Sequence, residues 1–406
     1  MNNMNSKQAS KRLLMMITGA VAIFFTGFIH VWSVFLPYVT EVTGWTEGQA
    51  SLAFYIANSF FVFGNIIGGR LENQSVSRKK IVGAGSLIFA AGVLLASRSL
   101  HGTPVFLYLT LGVMVGIGEG MIYTIILATA QKWFPERRGF ASGTIVTANG
   151  LCGFFLAPFS RALLKQSGPE TALLVTGILI AAAGALGVWF YAEPEERNWK
   201  EQAGTVQVPA ARQYTPKEMF ATSEFYLIML AMIGGLMPYF LLSPVSQTLQ
   251  MDTGVAAEIA VASVMAGSVM NAASRLVLPS IADKVGRIPC ILGVFAVALA
   301  AMLLLVFGKG LLVTAAVILA YTCFGGVMGN FPSLVSQVFG MAHFSENYGY
   351  VMISLVIASI SSPVISSTFH KMNLGWRGVF SFGAVCSLVA FGCMMALKRR
   401  THEKAG

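Results

Sequence analysis

The chain has 406 residues, 55% of them hydrophobic and only 11% charged, with a net charge of +10 and a mean hydropathy of +0.70. A soluble globular protein of this length carries far more charge, so the composition points to a polytopic membrane protein. The basic residues cluster in short segments between apolar runs, a pattern that sets topology and excludes nucleic acid as a partner.

Apolar windows of about 20 residues, the length that crosses a bilayer, begin near Leu13, Ala50, Ile81, Pro104, Gly139, Thr171, Glu224, Ala257, Pro289, Gly310, Asn347 and Gly375. They predict an all-α integral membrane fold of twelve transmembrane helices. The first run, Leu13 to Val39, follows Lys7, Lys11 and Arg12. It is too long for a signal-peptide core and no small-residue cleavage site follows it, so it is expected to stay as a membrane helix. The long polar stretch 193–222 predicts a cytoplasmic linker between two six-helix bundles, 1–192 and 223–406. Alternate loops hold about 20 basic residues on the N-terminal side against about six opposite, which predicts a multi-pass protein of the cell membrane with both termini cytoplasmic. A monomer suffices, since one polypeptide contains both bundles.

Polar groups inside apolar runs are the candidates for function. His30 stands among Phe28, Ile29 and Trp32, where it serves either as a hydrogen-bonded packing element or as a proton carrier. Glu119 lies one turn before Tyr123, so both are expected to reach one void. Its open roles are pairing with a cation, taking up a proton, or hydrogen bonding to neighbouring helices. The row Gly112, Gly116, Gly120 has the spacing that lets helices approach closely. Arg275 interrupts the apolar run Ile259–Leu278. A guanidinium keeps its charge, and holding it in hydrocarbon costs between about 3 and 10 kcal/mol or more. It must face water, a protein partner or an anionic ligand, and Asn271, one turn away, is placed to hold it or to meet a bound carboxylate. Asn58, Asn65, Asn149, Ser243, Gln247, Asn330 and Ser354 are as readily explained by bonds between helices. The five cysteines have no metal-ligand spacing, and no nucleotide loop or catalytic motif occurs. No enzyme activity, metal or cofactor is therefore expected.

The halves repeat at an offset near 210 residues: Pro37 matches Pro244, Asn73 matches Asp283, and Gln131 matches Gln337. Duplicated bundles predict a site at their interface, exposed to each side in turn by alternating access. The segment Pro279-Ser-Ile-Ala-Asp283-Lys-Val-Gly286-Arg287 resembles the G-x-L-a-D-r-x-G-R loop of the major facilitator superfamily. The partner loop keeps Gly69 and Arg78 but has Asn73 for the acid and Val76 for the second glycine, so it is expected to latch the cytoplasmic side less firmly. Within that superfamily the blocks Trp133-Phe-Pro-Glu-Arg-Arg138-Gly-Phe-Ala-Ser-Gly143 and Asn347-Tyr-Gly349 resemble the oxalate:formate antiporter family and its monocarboxylate-carrying kin.

That resemblance implies a secondary carrier of small organic anions. Arg275 matches the family's substrate-facing cation and Tyr123 its cavity tyrosine. A second family cation falls at Leu355, so one fixed charge is left to balance one carboxylate. A dianion would be left partly uncompensated in a low-dielectric cavity. The expectation is a monocarboxylate such as lactate, pyruvate or formate, moved by H⁺ symport or anion exchange. Arg275, Tyr123 and Asn271 would bind it, and Glu119 or His30 would couple protons. Gly69, Asn73, Arg78, Asp283, Gly286 and Arg287 would form the cytoplasmic gate. The alternatives are a proton-coupled exporter of lipophilic cations, which Arg275 would repel, and a non-transporting carboxylate sensor.

Overall fold

Hydrocarbon offers no partner to a backbone N–H or C=O, so a chain this apolar must satisfy those groups within helices or a closed barrel. It uses helices. The computed structural model describes residues 6–189, 191, 193 and 213–403, and every regular element among them is helical. Among the described residues, eleven helices are long and apolar enough to cross a membrane. They are α1 (Ser10–Thr43), α2 (Gly48–Asn73), α3 (Arg78–Ser99), α4 (Pro104–Trp133), the double element Pro135–Trp189, α7 (Ser223–Asp252), α8 (Ala257–Val285), α9 (Arg287–Phe307), α10 (Leu311–Phe339), α11 (Phe344–Lys371) and α12 (Gly375–Arg400).

The double element contains 55 residues. At 1.5 Å per residue it would be about 80 Å long, far beyond a hydrocarbon layer of about 30 Å. It breaks at Gly168, whose φ of 74° is open to glycine at little cost, and Pro169 follows at once. Residues 138–167 thus form α5 and residues 169–189 form α6. The protein is a multi-pass membrane protein, with twelve such helices among the described residues once this element is divided.

Two compact units are present. One comprises Met1–Gln213 with Phe339–Tyr350, the other Tyr214–Val338 with Val351–Gly406. The first therefore takes in the opening turns of α11. Residues 194–212 of the predicted linker lie outside the described residues. Its end forms a short helix, Pro216–Phe220, closed by a reciprocal capping box between Thr215 and Glu218.

Close helix contacts repeat in the two units. In the first, a Cβ on Gly116 would strike Ala57 and Phe60, and one on Gly120 would strike Phe61 and Asn65. Contacts advance by four residues on both helices, so α2 and α4 run parallel with their backbones in near contact. In the second, Gly325 lies against Asn271 and Ser274, and Gly329 against Arg275 and Pro279. Thus α8 and α10 form the same parallel pair.

Three helices depart from regular geometry near candidate residues. A 3₁₀ segment, Gly27–Val31, interrupts α1 at His30. A π segment, Tyr108–Met114, precedes Glu119 in α4. A second 3₁₀ segment, Ser243–Val245, interrupts α7. Such local changes of winding free backbone groups and re-aim side chains, and they recur at functional positions.

Candidate functional site

In the second unit, the glycines of α10 let α8 approach closely enough for Arg275 to lie over an α10 ring. Its guanidinium carbon is 5.7 Å from the Phe324 centroid, within the range of a cation–π contact. Arg275 is 9% exposed, and its Nε donates to Asn271 Oδ1 at 3.1 Å. The predicted pair is formed. One face of the guanidinium is held by an amide and an aromatic ring, which fixes the direction of the remaining N–H donors.

Phe324 leads on to residues of which the sequence singled out only Ser243. Tyr239 of α7 stacks on Phe324 at 4.1 Å and meets Tyr321 edge-on at 5.0 Å. The Tyr321 hydroxyl is 3.3 Å from Ser243 Oγ and 3.4 Å from Ser246 Oγ, both brought near by the 3₁₀ break in α7. The result is a row of contacts that runs from the Arg275 guanidinium through Phe324 and Tyr239 to Tyr321 and the two serine hydroxyls. In the sequence Tyr239, Tyr321 and Phe324 look like any aromatic residues of an apolar helix. Only the folded contact of α7, α8 and α10 separates them from packing.

The first unit holds the acid. Glu119 is 4% exposed and is hydrogen-bonded by the Asn149 side chain of α5. Asn149 Nδ2 also donates to Thr26 Oγ1 at 3.3 Å. Gly27, directly after Thr26, allows this: a Cβ there would collide with Asn149 and Cys152. His30 follows one turn after Thr26 and is solvent-exposed. Tyr123 is 2% exposed and its ring meets Phe61 of α2 edge-on at 5.3 Å. Glu119 and Tyr123 therefore address different neighbours, α5 for the acid and α2 for the tyrosine ring. Their one-turn spacing alone had suggested a shared void. Among the other polar candidates, Asn58, Asn65 and Asn330 each donate to a carbonyl four residues back in their own helix. Ser354 of α11 instead bonds the Met229 carbonyl of α7 at 3.3 Å.

At the α2–α3 turn, Asn73 is embedded in a charged cluster. Its Nδ2 donates to Glu346 Oε2 at 2.5 Å, and its Oδ1 lies 2.9 Å from His343 Nδ1. Arg70 donates to Glu346 at 3.1 Å and to the Tyr350 hydroxyl at 2.7 Å. Glu72 accepts from Arg78 at 2.6 Å, from Lys132 at 3.1 Å and from the Ser345 hydroxyl. Gly69 sits where a Cβ would collide with the Ser345–Glu346 backbone, which is why this position carries no side chain. The acid that Asn73 lacks is thus present on the facing element as Glu346, 8% exposed. The sequence signal was an acid in the first turn of a helix, immediately before Asn347-Tyr-Gly349.

The second loop is simpler. Arg287 bridges Asp283 Oδ1 at 3.0 Å and Gln337 Oε1 at 3.2 Å, and Gly286 turns the chain at φ 94°. In the first loop the positive-φ residue is Ser75, φ 63°, one place before Val76. In the Trp133–Gly143 block, Glu136 pairs with Arg12, whose guanidinium carbon lies 3.7 Å from the Phe134 centroid. That contact ties the start of α1 to the α4–α5 turn.

Comparison with known proteins agrees with this architecture. The chain is 25% identical to the oxalate:formate antiporter of Oxalobacter formigenes over 373 residues, 90% of this chain and 86% of that one. It is 32% identical to monocarboxylate transporter 13 of Rattus norvegicus over 155 residues, 37% of this chain and 36% of that one. Among solved structures, the transporter FucP in the outward conformation superposes with a TM-score of 0.73 at 14% identity, covering 95% of this chain and 99% of that one. At that identity the likeness concerns the fold alone. The profile of the Major Facilitator Superfamily matches residues 15–363. An all-helical membrane fold and a match across most of the chain lead to one assignment: this protein belongs to the Major Facilitator Superfamily, a family of transporters and not of enzymes.

Proposed function

We propose that this protein is a secondary active carrier of a small monocarboxylate of the formate, lactate or pyruvate type. It works by alternating access, either with H⁺ in symport or in exchange for another anion. The observation that carries this reading is Arg275, a fixed cation inside a membrane helix, held by Asn271 and Phe324, with Tyr239 stacked on the same Phe324 ring. A carboxylate accepts two parallel N–H bonds from a guanidinium. The names of the relatives, an oxalate:formate antiporter and monocarboxylate transporters, support an anionic substrate of this class.

A single charge is favoured because the second cation position is the apolar, half-buried Leu355. In this reading Asn271 orients Arg275, Tyr123 completes substrate binding from the first bundle, and Glu119 or His30 carries the proton. Both termini are cytoplasmic, the bundles 1–192 and 223–406 rock about the linker 193–222, and a monomer is the working unit. Uptake of radiolabelled formate, lactate, pyruvate and oxalate into proteoliposomes tests it. Saturable uptake of a monoanion that Arg275→Ala abolishes is the expected result. Equal uptake by the variant refutes the role of Arg275, and oxalate uptake matching the monoanions refutes the single-charge argument. Glu119→Gln is expected to remove dependence on an imposed proton gradient while anion exchange continues.

A further inference from the structure

At the end of the first unit away from the N-terminus, a pocket of about 440 Å³ opens between α1 and α5. One wall is Arg161 and Lys165, four residues apart and therefore on one face of α5. The other is the exit of α1, with Ser33, Pro37, Tyr38 and Glu41. Pro37 cannot donate a backbone bond to the Ser33 carbonyl, so α1 presents a bare acceptor beside the Ser33 hydroxyl. The spacing His30, Ser33, Pro37, Glu41 keeps these residues on one helix face, and all of them are exposed. A polar track thus runs down α1 from the pocket to His30.

The charges in this pocket have no structural employment. Arg161, Lys165 and Glu41 make no hydrogen bond or ion pair with another described residue. Two cations one turn apart on a helix repel each other. They also stand on the membrane side where the chain keeps only Arg98, Lys309, Lys371 and Arg377 besides, against the positive-inside bias. With Glu41 counted, the pocket carries one net positive charge. A cavity of this size with convergent donors and one surplus charge suits a single small anion.

We propose that this α1–α5 pocket is a docking site for a small organic anion, held by Arg161 and Lys165, separate from the Arg275 cluster. It rests on the carrier reading only for the identity of that anion, taken as a monocarboxylate. Arg161 and Lys165 raise the local anion concentration at the mouth of the α1 track, and Tyr38 and Ser33 supply hydroxyl donors.

The test places an environment-sensitive fluorophore on Val34→Cys, a residue that lines the pocket, in a background without the native cysteines. The protein is held in phosphatidylcholine nanodiscs and titrated with lactate. A saturable signal is expected, weakened at least tenfold in Arg161→Gln/Lys165→Gln and kept in Arg161→Lys/Lys165→Arg. Salt is expected to weaken it. Absence of a saturable signal, or one unchanged in the glutamine pair, overturns the proposal. A response that depends on adding phosphatidylglycerol and not lactate also overturns it, because the cations then serve lipid headgroups. The Arg275→Ala protein is expected to keep the signal. Lactate binding here without uptake would sink the carrier reading and leave the pocket standing, whereas normal uptake with no pocket signal would do the reverse.

Discussion

The α2–α4 pair and the α8–α10 pair are built alike and differ in what they carry. Each pair is parallel, and each is held at short range by glycines one turn apart, Gly116 and Gly120 in one case, Gly325 and Gly329 in the other. Asn65 of α2 lies 210 residues before Arg275 of α8 in the sequence, the same offset as Asn73 to Asp283. Asn65 is fully buried and spends its amide on the Phe61 carbonyl of its own helix. Arg275 reaches Asn271 and the face of Phe324. The backbone contact, which depends on small residues, is common to both pairs, while the side chains at its edge differ. One pair carries a self-bonded amide and the other a charged centre.

That contrast is open to direct attack. The largest effect belongs to Arg275→Ala, expected to lower monocarboxylate uptake by about 100-fold, since losing a charged contact of this kind costs about 3 kcal/mol. Asn65→Ala is expected to leave uptake within about twofold, a self-bonded amide being worth about 1 kcal/mol to stability and nothing to binding. Similar losses in both variants would break the distinction.

Next comes Asn73→Asp, which restores the acid that the family loop carries. Here it removes a donor and sets a second carboxylate against the buried Glu346. The unfolding midpoint is expected to fall by the equivalent of about 2 kcal/mol, and a stabilised variant would refute the placement of the acid on α11. Gly120→Val and Gly329→Val test the likeness instead of the difference. Each forces a side chain into neighbouring backbone, and each is expected to destabilise by about 1–3 kcal/mol. Intact stability in one variant alone would show that only the other pair is in close contact.

Asn271→Ala frees Arg275 without removing it and is expected to raise KM about tenfold, near 1.5 kcal/mol. The smallest effect is Asp283→Asn. It loosens the bridge to Arg287 at the rim of the second loop, where such pairs contribute about 0.2–1 kcal/mol. Thermal unfolding of the purified protein checks it against Asn73→Asp, and an equal or larger loss would reverse the ranking of the two loops.

Much of this was legible beforehand. Hydrophobic length marked every span, and the merged element Pro135–Trp189 was still separable because Gly168-Pro169 interrupts it. Arg275 was visible because a charge in an apolar run has no neutral explanation, and Asn271 because helical spacing puts it one turn away. The rest of the cluster was hidden. Tyr239, Tyr321 and Phe324 have the composition of any membrane helix. Nothing in the local pattern told that α7, α8 and α10 converge on them. Glu346 was hidden for a related reason, since its partners Arg70 and Asn73 lie 276 and 273 residues away.

The sequence by itself determined the membrane class and the series of apolar spans, because both follow from hydropathy read along one dimension. Tertiary structure alone decided which neighbours each helix face meets. It turned Glu119 toward Asn149 and Tyr123 toward Phe61, supplied Glu346 to Asn73, and opened a charged pocket between α1 and α5. Helical periodicity fixes which residues share a face. The glycine contacts and local breaks in winding that aim that face arise only when helices distant in the chain pack together.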